Sequence, residues 1–170
     1  TIATVIATAL GTLAALGLSR THMPYKGLIM AILISPMIVP LIITAAGMFF
    51  FYARINLVYT FTGVILAHVA LATPFVVITV TATLVGFDMN MVKAAQSLGA
   101  KPIRTFFKVI MPLILPGIIS GALFAFITSF DEVVIVMFMA SIDQLTIPKQ
   151  MWAGIRQEIS PVILLSLIHI

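Results

Sequence analysis

Long apolar runs separated by short polar breaks divide this chain, and one polar interruption is much longer than the rest. Crossing the hydrocarbon core of a bilayer as a helix takes about 20 apolar residues. Residues 2–18, 28–51, 61–85 and 113–140 meet or approach that length, and residues 161–170 open a fifth apolar run. Backbone groups in lipid must find partners within their own segment, so these runs are expected to be helices. The pattern predicts an all-α, multi-pass helical bundle over residues 1–160, with 161–170 as the start of a truncated last span. Both ends fall inside apolar runs and look cut, so the chain is expected to be a fragment.

The long interruption, about residues 86–112, reads as helix, glycine turn, helix. Asp88 or Asn90 can cap a helix start by accepting a bond from a free backbone N–H. Met91, Ala94, Ala95 and Leu98 then share one face by their spacing of three, four and seven. Gly99 stands where a helix ends in a left-handed residue, and Pro102 suits the first turn of the next helix. On that second helix Ile103, Phe106, Phe107 and Ile110 form an apolar face expected to lie against the bundle. Lys101, Arg104 and Lys108 point the other way, and Met111-Pro112 is expected to end the helix at the membrane. Two readings stand at this point: an amphipathic helix resting on anionic lipid, or a docking element whose small Ala94-Ala95 face enters a partner's groove.

Composition supports the membrane reading. Apolar residues make up 62% of the chain and charged residues 8%, against roughly 25% charged in soluble domains. Too few polar groups exist to cover a water-exposed surface. The absence of cysteine excludes disulfides and thiolate metal sites. The net charge of +4 does not gather on an aromatic-rich face, so nucleic acid is not an expected partner. Basic residues do sort by loop. Arg20, Lys26, Lys93, Lys101, Arg104 and Lys108 fall on one side, and Arg54, Lys149 and Arg156 on the other. The positive-inside rule makes the 86–112 loop cytoplasmic.

Within the spans, Ala3, Ala7, Gly11 and Ala15 recur every four residues, as do Gly117, Gly121 and Ala125. Such stripes let helix backbones approach closely in lipid. They serve either packing within one bundle or a seam with a second chain. Pro36, Pro40, Pro74, Pro112 and Pro116 are expected to bend or end helices. Asp131-Glu132 is the acidic pair inside an apolar run. It lies about 28–30 Å from Pro112 at 1.5 Å per residue, near the outer surface. It either meets a cationic solute or is a structural pair bonded to nearby backbone or Arg156. His68 is read as a buried neutral imidazole bonded to a carbonyl freed by Pro74, or as a pathway group. No two histidines have metal-ligand spacing, so no metal site is expected. His22 is expected in solvent, and Trp152, Tyr52 and Tyr59 suit an outer interfacial belt.

The segment Lys93-Ala94-Ala95, then Gly99, then Val109, Met111 and Pro112, resembles the Glu-Ala-Ala…Gly…Ile-x-Leu-Pro motif. That motif marks inner-membrane permease subunits of bacterial binding-protein-dependent ABC importers. Lys93 replaces the motif's Glu, which removes any salt bridge made there but not the helix. Ser19-Arg20, His68, Pro74-Phe75, the run from Ser129 to Val134, and the stretch from Pro148 to Pro161 resemble the polyamine (spermidine/putrescine) branch. The last residues, 165–170, do not look like that family's final span; a frame or assembly artefact is one reading of them. The resemblance implies a MetI-like permease fold, with Lys93, Ala94, Ala95, Leu98, Gly99, Pro102 and Pro112 coupling the chain to cytoplasmic ATPase subunits. It also implies a second permease chain and an extracytoplasmic substrate-binding protein; Asp131, Glu132 and His68 are the candidate substrate-pathway residues by their own chemistry, as polar groups within apolar runs. The chain has no Gly-x4-Gly-Lys-Ser/Thr loop, so it is not expected to be an enzyme, and ATP and magnesium are expected on the partner ATPase.

Two other classes compete. An ion-gradient-driven secondary transporter or channel would not need the helix–Gly–helix loop and would more often place acids or histidines at mid-membrane. An intramembrane enzyme would need a nucleophile or metalloprotease motif that the sequence lacks.

Overall fold

Apolar runs that cannot bond to water become helices, and no strand occurs among the described residues. The computed structural model describes residues 1–19 and 23–157 together with Leu165 and Ile168, and gives the backbone alone at 89 and 155–157. The elements are α1 (Ile2–Leu18), α2 (Lys26–Ile38), α3 (Leu41–Arg54), α4 (Phe61–Val85), α5 (Met89–Ser97) and α6 (Pro102–Thr105). A π-helical turn (Phe106–Ile110), α7 (Met111–Asp131), α8 (Val134–Met139) and α9 (Ile147–Gln157) follow. Apart from Leu165 and Ile168, the expected span from 161 onward, with His169, lies outside the described residues, as do Arg20, His22 and the side chain of Arg156.

Helix α4 is apolar on every side and sits between the others, as such a helix must. One core joins Ala3, Ala7 and Ala15 of α1 to Val69, Ala72, Val76 and Val80 of α4 and to Ile114 and Ala125 of α7. The two small-residue stripes therefore serve packing inside this bundle. A Cβ added at Gly11 would lie 2.6 Å from Val76 Cβ. One at Gly117 would collide with Thr83 Oγ1, and one at Gly121 with Thr79 Oγ1. These contacts run α7 antiparallel to α4 and α1 parallel to it. A second core joins Ala45 of α3, Ala67 and Leu71 of α4, and Ile135 and Met139 of α8. The end of α1, the end of α4 and the start of α7 thus share one end of the bundle. Lys26, Lys93, Lys101, Arg104 and Lys108 lie there, which agrees with the loop charge count.

Two expected spans are broken. Residues 28–51 are not one helix: α2 and α3 meet at 107°. Val39 is extended and Pro40 (φ −54°, ψ 131°) stands before α3, because the residue preceding a proline avoids the helical region. Residues 113–140 also divide: Glu132 is extended (ψ 114°) between α7 and α8. Met111-Pro112 does not end its helix. The apolar helix runs from Pro102 through Asp131, 30 residues, and the π turn falls just before Pro112. Pro112 has no N–H to give to the carbonyl of residue 108, and a wider turn accommodates its ring. Pro36, Pro74 and Pro116 lie inside helices that continue past them.

Candidate functional site: the cytoplasmic hairpin and the outer carboxyls

The hairpin forms for the local reasons its sequence carries. Asp88 accepts a bond from the Asn90 N–H at 2.9 Å, so Asp88 and not Asn90 is the cap. At the other end Gly99 has φ +80°. The Ala100 N–H reaches the Ala95 carbonyl at 3.0 Å and the Gly99 N–H the Gln96 carbonyl at 2.9 Å. That pair of bonds is the Schellman closure, and it needs a left-handed residue at position 99. Pro102 opens α6 in its first turn.

Helix α5 packs chiefly on α6 and the π turn, not on the spans. Its apolar residues are therefore uncovered: Leu98 is 89% exposed and Met91 49%. Lys93 and Ala94 are exposed and Ala95 half-buried. The face expected to meet the bundle divides instead. Ile110 packs on the first core and Phe106 is half-buried, whereas Ile103 (75%) and Phe107 (60%) face outward. Thr105 is the residue buried on this side, its hydroxyl bonded to the Lys101 carbonyl at 3.2 Å. The two rings still touch edge to face, their centroids 5.0 Å apart, with Phe106 the less exposed of the pair.

At the opposite end, Asp131 and Glu132 do not act as a pair. Glu132 is buried, and its Oε1 accepts the Ile135 N–H at 2.9 Å, capping α8. Asp131 is exposed and borders a hollow of about 660 Å³ with Thr128, Met137 and Trp152. His68 is the eighth residue of α4, in the outer half of the helix and a little nearer its middle than its outer end. It is buried, and its Nδ1 lies 3.1 Å from the Ser129 hydroxyl of α7, not from a carbonyl freed by Pro74. That couple lines a different cavity, about 550 Å³, with Phe61, Phe126 and Phe130. The structure thus places His68 and Asp131 in separate hollows at one end of the bundle. Among the described residues no cluster of three His, Cys, Asp or Glu side chains is present.

A clamp nearby was not legible in the sequence. Buried Gln144 accepts the Ser141 N–H at 3.1 Å and donates to the Tyr59 carbonyl at 3.1 Å. The Tyr59 N–H donates to the Met139 carbonyl at 2.9 Å. Tyr59 itself is left-handed, φ 62°. Gln144 lies in a polar stretch, Ser141-Ile142-Asp143-Gln144, that reads as an ordinary loop.

A bundle of apolar spans with bends at its edge, an uncovered basic hairpin at one end and two hollows at the other, one of them bordered by carboxyls, is the build of a polytopic membrane protein. The chain belongs to the family of inner membrane components of binding-protein-dependent transport systems, whose pattern matches residues 7–170. It is 31% identical over 159 residues to the spermidine/putrescine transport system permease protein PotC of Haemophilus influenzae, covering 94% of this chain and 62% of PotC. It is 36% identical over 96 residues to the putrescine transport system permease protein PotI of Escherichia coli, covering 56% of this chain and 34% of PotI. It is 31% identical over 140 residues to the trehalose transport system permease protein SugB of Mycobacterium tuberculosis, covering 82% of this chain and 51% of SugB. The chain spans less than two thirds of the length of each of these relatives. Family and helices together make it a multi-pass inner-membrane protein.

Proposed function

We propose that this chain is the transmembrane permease subunit of an ATP-driven importer that moves polyamines into the cytoplasm by alternating access. The observation that carries the reading is the uncovered α5: an amphipathic helix whose apolar side, Met91 and Leu98 included, is exposed, held at a fixed angle by Gly99, on the basic end of the bundle. A monomer gains nothing from leaving Leu98 and Met91 in water. A cytoplasmic ATPase subunit would cover them, with Lys93, Ala94, Ala95, Leu98 and Gly99 at the contact, Pro102 setting the return helix and Pro112 seating it in the membrane. ATP and magnesium would act on that subunit. Closure of two such subunits would draw together the hairpins of this chain and a second permease, and a substrate-binding protein would deliver cargo at the Asp131 end. The uncovered hairpin also separates this reading from an ion-gradient carrier, which has no use for it.

The similarity to PotC and PotI, permeases of spermidine/putrescine and putrescine transport systems, supports a polyamine as cargo. The comparable similarity to SugB favours a second reading, a sugar. Exposed Asp131 beside Trp152 suits a cation: a carboxylate attracts ammonium, and an indole face adds to it. The test is uptake of labelled spermidine, putrescine and trehalose by the full-length permease with its partners in vesicles. Polyamine uptake is expected, with Asp131→Asn raising KM about fivefold, the equivalent of one screened charge pair, and leaving ATPase co-purification intact. Trehalose uptake without polyamine uptake would overturn the cargo. Unchanged polyamine kinetics in Asp131→Asn would remove that carboxyl from the pathway.

A further inference from the structure

The 30-residue helix from Pro102 to Asp131 is about 45 Å long at 1.5 Å per residue. The hydrocarbon core is about 30 Å thick, and the bilayer with its headgroup layers about 40–45 Å. With Asp131 at the outer surface, the first two turns must lie at the depth of the inner-leaflet headgroups. On those turns two adjacent stripes stand uncovered. Ile103 and Phe107, four apart, face outward from the bundle. Arg104 and Lys108, also four apart and each one residue on, are exposed beside them. Among the described residues neither cation has a hydrogen-bond or ion-pair partner, and Asp88 is the sole acid of the 86–112 loop.

We propose that this double stripe is a binding site for anionic phospholipid of the inner leaflet. The headgroup phosphate sits at Arg104 with Lys108 beside it, and the acyl chain runs from there past Phe107 toward the bilayer centre. Depth decides the occupant. A soluble partner gripping α5 approaches from the cytoplasm, whereas Phe107 lies two turns into a helix that is entering the membrane. A bare phenylalanine at the boundary between acyl chains and headgroups, flanked by cations on its polar side, is the arrangement of an interfacial lipid anchor. Arginine adds a planar fork that matches two phosphate oxygens, and lysine adds a point charge. The site rests on the cytoplasmic placement of the hairpin and not on the identity of the cargo.

The test is native mass spectrometry of the full-length permease, titrated with phosphatidylglycerol against phosphatidylcholine. Phosphatidylglycerol is expected to bind preferentially, and raised salt is expected to weaken it. Each juxtamembrane cation is worth about fivefold in affinity, so Arg104→Gln with Lys108→Gln should weaken binding roughly 30-fold. The charge-keeping exchange Arg104→Lys with Lys108→Arg should retain most of it. Co-purification of the ATPase in lipid-free micelles should be the same for all variants. Equal affinity of wild type and the double glutamine variant would overturn the site. So would loss of the ATPase from that variant in lipid-free micelles, which would give the face to the protein partner. Should the double variant not insert, the salt dependence of the wild-type chain decides: none would overturn the proposal.

Discussion

Replacing Gly99 separates backbone strain from partner contact, because the structure leaves open space around it. Its φ is +80°, and a Cβ built there meets nothing within 4 Å. An alanine therefore loses nothing to collision within this chain and is charged only for the left-handed conformation, about 1–2 kcal/mol. Asparagine, which tolerates that region, is charged less. The Schellman bonds from Gly99 and Ala100 hold the angle between α5 and α6, so strain at 99 lowers the population of the docked geometry. A cost of 1–2 kcal/mol corresponds to about five- to thirtyfold in an equilibrium constant. Affinity for the ATPase subunit, measured in detergent with the full-length permease, is expected to fall in the order Gly, Asn, Ala. Tryptophan shares alanine's conformational cost. Any further loss in Gly99→Trp reads the presence of a partner surface beside the turn, since nothing in this chain occupies that space. If Ala binds as well as Gly, and Trp as well as Ala, then neither the turn's geometry nor a partner near residue 99 matters, and the docking account of the hairpin is wrong.

Gly121→Leu should loosen the bundle rather than the coupling. Its Cβ would lie 3.0 Å from the Val76 Cα, a backbone atom that cannot swing away; overpacking of this kind costs about 1–3 kcal/mol, visible as unfolding at lower SDS fraction in mixed micelles, and wild-type resistance would refute the close α4–α7 approach. Pro112→Ala restores a backbone N–H to the turn before it and should convert the π turn to α-helix. Removing that extra residue from the turn rotates the hairpin by about 100° about the α7 axis. Cysteine crosslinks from Ala95 to the ATPase should then shift in partner position, and an unchanged crosslink pattern would show that Pro112 does not maintain the π turn.

What the sequence made legible was whatever depends on local chemistry. The extent of α1 and α4, the Asp88 cap, the left-handed Gly99 and the small-residue stripes all follow from residue type and spacing, and each stands where those rules put it. The failures have two sources, proline sterics that hydropathy averages away and tertiary partners. Hydropathy sees residues 28–51 as one run because a single proline hardly lowers the mean of a long apolar window, while sterically Pro40 ends a helix. Asp131 and Glu132 look alike in sequence, but a break in the helix turns one inward to cap α8 and leaves the other in a hollow. His68 needed a hydrogen-bond partner, and nothing local says that the partner is Ser129, on α7. Phe107 fell outside the expected bundle-facing stripe, and the π turn at Phe106–Ile110 cannot be read from an apolar periodicity that assumes 3.6 residues per turn.

The breaks are not scattered, and their placement bears on how movement would pass through the chain. Helices α1, α4 and α7 are locked by glycine and alanine contacts too close to slide. The bend at Val39-Pro40 and the break at Glu132 both border the second core, where α3 packs on α8. The cytoplasmic hairpin continues into α7 with no break before Asp131, only the π turn. A pull on α5 therefore reaches the outer carboxyl through one helix about 45 Å long, carrying α4 and α1 with it. The α3–α8 pair hangs on α4 through Ala67 and Leu71 and on α7 through the extended Glu132. Relative motion is cheapest between these two bodies, because that is where side chains, a single extended residue and the Tyr59–Met139 backbone bond, not close helix-on-helix backbone contacts, make the join. The hollow bordered by Asp131, Met137 and Trp152 opens at this same join, so a stroke at the hairpin would widen or close the place where a cation would be met.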